Sequence, residues 1–321
     1  MSFINKKTIL KVLRVLVALG LFFLFYRQLF SGGKFVQLSE NFVHNSQNFS
    51  YGYLIICVVL MPVNWMLEAL KWQKLTKAFQ MLSYRDALAS VLSGVSLGVL
   101  TPARIGEYGG RMLHLHPDHK LASVGATFIG SIAQNTINAA VALPLSYYFL
   151  KSVFDVTYGW SSTFLTLITA GVIISLIVYY NIGRLIRVAE RFDFFRSKRE
   201  LIKKLGYAAE YDSETLNRVI LISVARYIVY CIQYLCIVWF FNFDQENIIL
   251  AGAIATIYLV QSGIPLPPVM GLMARGELAI LIWSHLQVDA VTALGATLML
   301  WTINLMIPAL AGLWIIWKIR I

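Results

Sequence analysis

Apolar residues run along this chain in stretches of about 20, at 9–28, 52–71, 121–150, 162–181, 218–241 and 290–317. A bilayer core of about 30 Å demands a helix of that length, so each stretch predicts a full transmembrane helix. Two further apolar segments, 86–113 and 247–286, are interrupted. The first breaks at Thr101-Pro102 and then Gly106, Gly109 and Gly110; the second breaks at Pro265, Pro267 and Pro268 and then Gly271. Proline removes a backbone donor and clashes with the preceding turn, so neither segment forms one straight helix. Broken backbone at membrane depth survives only where protein buries it or where it lines a wet cavity. Both segments therefore predict re-entrant helix pairs. The expected fold is an all-α polytopic membrane protein, a single integral domain over residues 1–321, with about six full transmembrane helices and two re-entrant pairs.

Composition agrees and excludes a water-soluble enzyme. Hydrophobic residues make up 58% and charged residues 13%, whereas soluble domains carry about 25% charged residues. A net charge of +11 would suggest nucleic acid in a soluble protein. In a membrane protein the same excess follows from the positive-inside rule, so its distribution matters more than its sum. Lys6, Lys7 and Lys11 mark the first span, and Lys71, Lys74, Lys77 and Arg85 follow the second. The segment 182–218 is strongly basic, and Lys318 and Arg320 close the chain. The opposite loops hold Glu40, Asp155, Asp244, Glu246 and Asp289 beside few cations. This pattern predicts cytoplasmic N- and C-termini in a bacterial-type plasma membrane, with both broken segments re-entrant or each crossing twice. The segment 182–218 reads as a solvated loop, with an amphipathic helix on the inner leaflet as the alternative. Lys11 and Arg14 interrupt the first apolar run, which argues for an uncleaved span over a signal peptide. Cys57, Cys231 and Cys236 all fall in apolar segments and read as buried thiols.

A repeat is visible inside this pattern. Gly106-Glu107 and Gly276-Glu277 each lie in a broken segment, and Gly-Ala-Thr follows at 125–127 and 295–297. Thr-Ile-Asn then recurs at 136–138 and 302–304. The repeats cover about 84–150 and 247–317, with the basic segment between them. An odd number of full spans separates the two glutamates, so the copies are inverted and the re-entrant pairs enter from opposite sides. Transporters commonly place their substrate at the interface of such repeats.

Arg104, Glu107, Arg111, Arg226, Arg275 and Glu277 fall in or beside apolar segments. A charge at the bilayer centre is expensive, so each must face a partner or a cavity. Arg104, Glu107 and Arg111 share one helical face. Arg275 and Glu277 are two residues apart and must address different partners. These charges either lock the hairpins together or line a cationic cavity, and the excess of arginine favours the cavity. The planar guanidinium suits phosphate because it bonds two oxygens at once. His114, His116, Asp118 and His119 match the HxHxDH run of metallo-β-lactamases. The later ligands of that chemistry are missing, so neither a metal nor any other cofactor is expected. No phosphate-binding loop or hydrolase motif is present, and nothing in the chain calls for an enzyme.

Residues 94–111, and in particular Pro102, Arg104, Gly106, Glu107 and Arg111, resemble the first signature of the lysylphosphatidylglycerol synthase transmembrane-region family, also called flippase-like. The second signature, a Pro-Gly-Gly turn followed by an acidic residue, appears in altered form at Pro265–Gly271 and Glu277. The resemblance implies a bundle with two re-entrant helices that moves a lipid between leaflets. It implies membrane lipids as partners, anionic or polyprenyl-phosphate-linked, together with association with a lipid-modifying enzyme. The attached aminoacyltransferase domain of two-domain relatives is not in this sequence, so aminoacylation is not inherited. A membrane-embedded glycosyl- or acyl-transferase and a small organic anion transporter stand as alternatives.

Overall fold

In a computed structural model, residues 50–101, 104–154, 158–189, 211–263 and 268–319 are described, and every regular element among them is helical. The helices are α1 (Tyr51–Thr76), α2 (Tyr84–Val99), α3 (Ile105–Met112), α4 (Lys120–Phe154), α5 (Tyr158–Tyr180), α6 (Ile182–Ala189), α7 (Ser213–Phe240), α8 (Asn247–Gly263), α9 (Pro268–Ser284), α10 (Ala290–Trp301) and α11 (Ile307–Lys318). A π turn, Thr302–Met306, joins α10 to α11, and a 3-10 turn, Pro117–His119, leads into α4. Among the described residues α1, α7 and the continuous stretch Ala290–Lys318 are long and apolar enough to cross a membrane. This is a helical membrane protein. The predicted span at 9–28 and the basic residues of 190–210 lie outside the described residues.

Helices start where the sequence supplies caps. Ser83, Asp212 and Asp289 accept hydrogen bonds from the amides of Asp86, Thr215 and Thr292, satisfying donors that the first turn leaves free. Hydrogen bonds from Thr215 hold the Asp212 carboxyl below the usual carboxylate range.

Helices α1 and α7 run antiparallel in a seven-residue register. Gln233 donates to the Cys57 carbonyl at 3.0 Å, and one heptad along each helix Arg226 donates to Asn64 at 2.9 Å. At one end of this pair the Tyr211 hydroxyl donates to the Leu75 carbonyl and Tyr179 to the Leu216 carbonyl. Lys74 and Lys77 at the end of α1 and Arg218 in the first turns of α7 lie at this end. The acidic Asp244, Glu246 and Asp289 sit toward the other end.

Helices α2 and α3 form a tight antiparallel hairpin whose two feet meet at the basic end, where the Gln80 side chain accepts from the His116 amide at 3.0 Å. Gly94 and Gly98 on α2 pack against Glu107 of α3, while Gly106 and Gly110 of α3 pack against Leu97 and against Ser93 and Gly94 of α2. A Cβ at Gly106 would stand 2.1 Å from the Leu97 carbonyl oxygen, and one at Gly110 would stand 2.3 Å from that of Ser93. Small residues four apart let backbones approach this closely, and in lipid such packing holds helices together without a hydrophobic driving force. Gly312 brings α11 equally close on the far side of α2, where Ser96 donates to the Ala309 carbonyl at 2.6 Å. Helices α8 and α9 make the second broken segment. Their feet lie at the acidic end, where Gln245 donates to the Leu286 carbonyl at 3.4 Å. Each hairpin has its own apolar core, one including Val91, Val95 and Trp72, the other Leu250, Ile254 and Trp283, and α1 and α7 run through both.

The junction of α1 with the π turn carries a further bond. Pro308 has no N–H to donate to the Asn304 carbonyl four residues earlier. The Trp65 indole donates to that carbonyl instead, at 3.2 Å in the buried interior. Trp65→Phe keeps an aromatic, though smaller, ring and removes the donor. The expected loss is about 1–3 kcal/mol, the cost of a buried carbonyl left unpaired, read from SDS-titration unfolding. An unchanged midpoint would show that the bond contributes nothing.

Candidate functional site

One face of α1 carries Asn64, Trp65, Glu68, Lys71 and Trp72, all buried. Their spacing follows the i, i+4, i+7 stripe that faces neighbouring helices. Glu68 is the hub of this face. Its Oε1 receives Arg111 Nη2 of α3 at 2.7 Å; its Oε2 receives Lys71 Nζ at 2.7 Å and Arg226 Nη1 of α7 at 2.5 Å. The three cations are held again elsewhere. Lys71 reaches the Gly130 carbonyl of α4 at 3.4 Å, and Arg226 reaches Asn64 and, at 3.3 Å, Gln134. The Arg111 guanidinium stacks over Trp72 at 4.8 Å and that of Arg226 over Trp65 at 5.7 Å, so aromatic faces replace part of the lost hydration.

The chain of charges continues outward through α3. Arg111 also bonds Glu107 at 2.6 Å, and Glu107 bonds Arg104 at 3.0 Å. Exposure rises along it: Arg111 is 4% exposed at the side chain, Glu107 18% and Arg104 51%. Arg104 caps α3 in the left-handed region at φ 58°. A side chain there costs about 1–2 kcal/mol relative to glycine, and strain of this kind is kept where surrounding structure and function demand it. The sequence is rich in glycine around this turn, yet the left-handed position is an arginine. Gly106, expected at the break, lies in the first turn of α3 and serves close packing against Leu97.

The site residues expected from sequence divide as follows. Arg104, Glu107, Arg111 and Arg226 join one network. Arg275, on α9, lies within electrostatic reach of Arg104, with Tyr230 and Tyr258 nearby, and it pairs with no carboxylate among the described residues. Glu277 is exposed and joins no ion pair among the described residues. Pro268 opens α9 and Gly271 falls in its first turns, while Pro102, Pro265 and Pro267 lie outside the described residues. Two members of the network are not in the sequence-derived set. Lys71, expected to mark a membrane boundary, is 2% exposed because α1 continues to Thr76, and Glu68 is 5% exposed. Their signal was the polar stripe of α1 between two tryptophans.

Among the described residues the arrangement offers fixed, paired charge. Among the described residues no group of three His, Cys, Asp or Glu could hold a metal. Ser93 pairs with His114 at 3.0 Å and His116 with Asp118 at 3.2 Å, local contacts at the foot of the hairpin. The Nε–H of Arg111 and the indole N–H of Trp72 are buried without acceptors among the described residues. That leaves donors beside Glu68 for water or a ligand oxygen.

The turn sequence around Arg104, Glu107 and Arg111 lies within residues 11–312, which match the family model described as lysylphosphatidylglycerol synthase TM region. The chain belongs to that family. No curated protein and no solved structure matches it. Within this lysylphosphatidylglycerol synthase TM region the polar hub falls at the meeting of α1, α3, α4 and α7, with Arg111 reaching it from the last turn of α3.

Proposed function

We propose that this protein moves a lipid with an anionic or phosphate-linked head group between leaflets, as a flippase or scramblase, without covalent chemistry. The observation that carries the reading is the ion-pair chain running from buried Lys71 to half-exposed Arg104, with Arg275 of the other broken segment within electrostatic reach of Arg104. Moving a head group is slow because its charge must leave water, and fixed cations lower that cost without forming bonds. The tails would stay in lipid while the phosphate meets Arg104 and Arg275, with Glu107 and Glu68 holding the arginine rotamers. On this reading the α2–α3 and α8–α9 hairpins are re-entrant and inverted, and the protein is multi-pass in a plasma membrane with both termini cytoplasmic. Membrane lipids are its partners, with a lipid-modifying enzyme acting alongside.

The test is reconstitution in liposomes carrying labelled phospholipids and polyprenyl phosphates. Transbilayer movement is expected, and Arg104→Gln and Glu107→Gln should each slow it about ten- to a hundredfold, the value of a charge-assisted contact. Movement of no lipid, or full activity in both variants, overturns the reading.

A further inference from the structure

The charges around this hub do not balance, and the sign and size of the imbalance specify a ligand. Lys71, Arg104, Arg111 and Arg226 pair with Glu68 and Glu107, an excess of two positive charges, and Arg275, within electrostatic reach of Arg104, brings it to three. Glu277 does not offset it locally: two residues from Arg275, it projects about 200° around the helix, and it is exposed. Of the remaining carboxylates, Asp86 stands at the edge of its apolar segment, bonded to Ser83, and the others fall outside the apolar segments. Arg104 and Arg275 come from different broken segments and repel one another. The proximity of two like charges on separate elements is stable when a counter-charge sits between them.

We propose that the preferred head group is a terminal phosphate or diphosphate ester carrying about two negative charges or more, in preference to a singly charged phosphodiester or a zwitterion. This rests on the lipid-moving reading above and narrows its substrate class. A phosphomonoester has three free oxygens and a charge of about −1.5 to −2 at pH 7. It can accept from Arg104 and Arg275 together and cancel most of the excess. A phosphodiester cancels one charge, and a zwitterion such as phosphatidylcholine, or a cationic aminoacyl lipid, cancels none in net terms. The second ionisation of a phosphomonoester lies near pH 6. Transport of such a lipid therefore falls as pH drops through that value, while transport of a phosphodiester does not follow it.

The experiment compares proteoliposomes containing labelled phosphatidic acid, polyprenyl monophosphate, polyprenyl diphosphate, phosphatidylglycerol or phosphatidylcholine. Near pH 7 the phosphomonoesters and the diphosphate are expected to cross at least about tenfold faster than phosphatidylglycerol, with the advantage shrinking below about pH 6. Phosphatidic acid and polyprenyl monophosphate separate the tail from the head: preference for either or both supports the proposal, since they share the phosphate. Arg275→Gln should abolish the preference and Arg275→Lys should retain it, provided both elute as the parent does on size exclusion. Equal rates for phosphatidylglycerol and phosphatidic acid, or an unaltered preference in Arg275→Gln, overturn this inference and leave lipid movement standing. Failure of every lipid to move removes both.

Discussion

Replacing Glu68 with glutamine should lower the unfolding free energy by about 3–5 kcal/mol, the cost of removing one partner from a buried charge cluster. Its carboxylate bonds Lys71, Arg111 and Arg226, three side chains that belong to three different helices. Arg111 keeps Glu107 after the change, and Arg226 keeps Asn64 and Gln134. Lys71 keeps only a 3.4 Å contact to the Gly130 carbonyl, at 2% exposure. Its ammonium would then stand buried without a counter-charge, so the variant must either expose it or let it lose its proton. Adding Lys71→Met to Glu68→Gln removes that stranded charge and should recover a measurable part of the loss. SDS-titration unfolding of the two single variants and the double variant gives the coupling directly. Additive losses would show that Glu68 and Lys71 do not stabilise each other.

The separation between what was legible in the sequence and what was not has a physical basis. Helices at 51–76, 120–154, 158–180, 213–240 and 290–318 lie over the expected apolar stretches, and of these 51–76, 213–240 and 290–318 are long and apolar enough to cross a membrane. The break between α2 and α3 followed from Pro102 and the glycines. The ion-pair chain was half visible: Arg104, Glu107 and Arg111 stood out because charge interrupts an apolar segment. Glu68 and Lys71 did not, since they lie near the end of a span where charge usually marks the interface. Only the continuation of α1 to Thr76 and its packing on α7 and α4 turn them inward. The pairing of Arg226 with Asn64 depends on the antiparallel register of two helices distant in sequence, which no local pattern encodes.

Gly110→Val should separate the α2–α3 hairpin and abolish the proposed lipid movement, with a stability loss at or above the upper end of the about 1–3 kcal/mol typical of overpacking. A Cβ at this position would stand 2.3 Å from the Ser93 carbonyl oxygen and 2.6 Å from both the N and Cα of Gly94. All three are backbone atoms, so no side chain can swing aside and one helix must move. The displaced residue next in sequence is Arg111, whose carbonyl accepts from Ser90 at 2.9 Å and whose guanidinium reaches Glu68. Moving α3 off α2 therefore draws Arg111 from the hub and breaks the link between Arg104 and α1. Gly109 provides the contrast: no atom lies within 4 Å of the Cβ it lacks. Gly109→Ala should raise stability by about 0.5–1 kcal/mol, the helix-interior cost of glycine relative to alanine. If Gly110→Val unfolds at the parent's SDS concentration, the hairpin is held by something other than backbone approach. If it is destabilised but still moves lipid at the parent's rate, Arg111 does not carry the site, because the same displacement that strains the hairpin also withdraws that guanidinium.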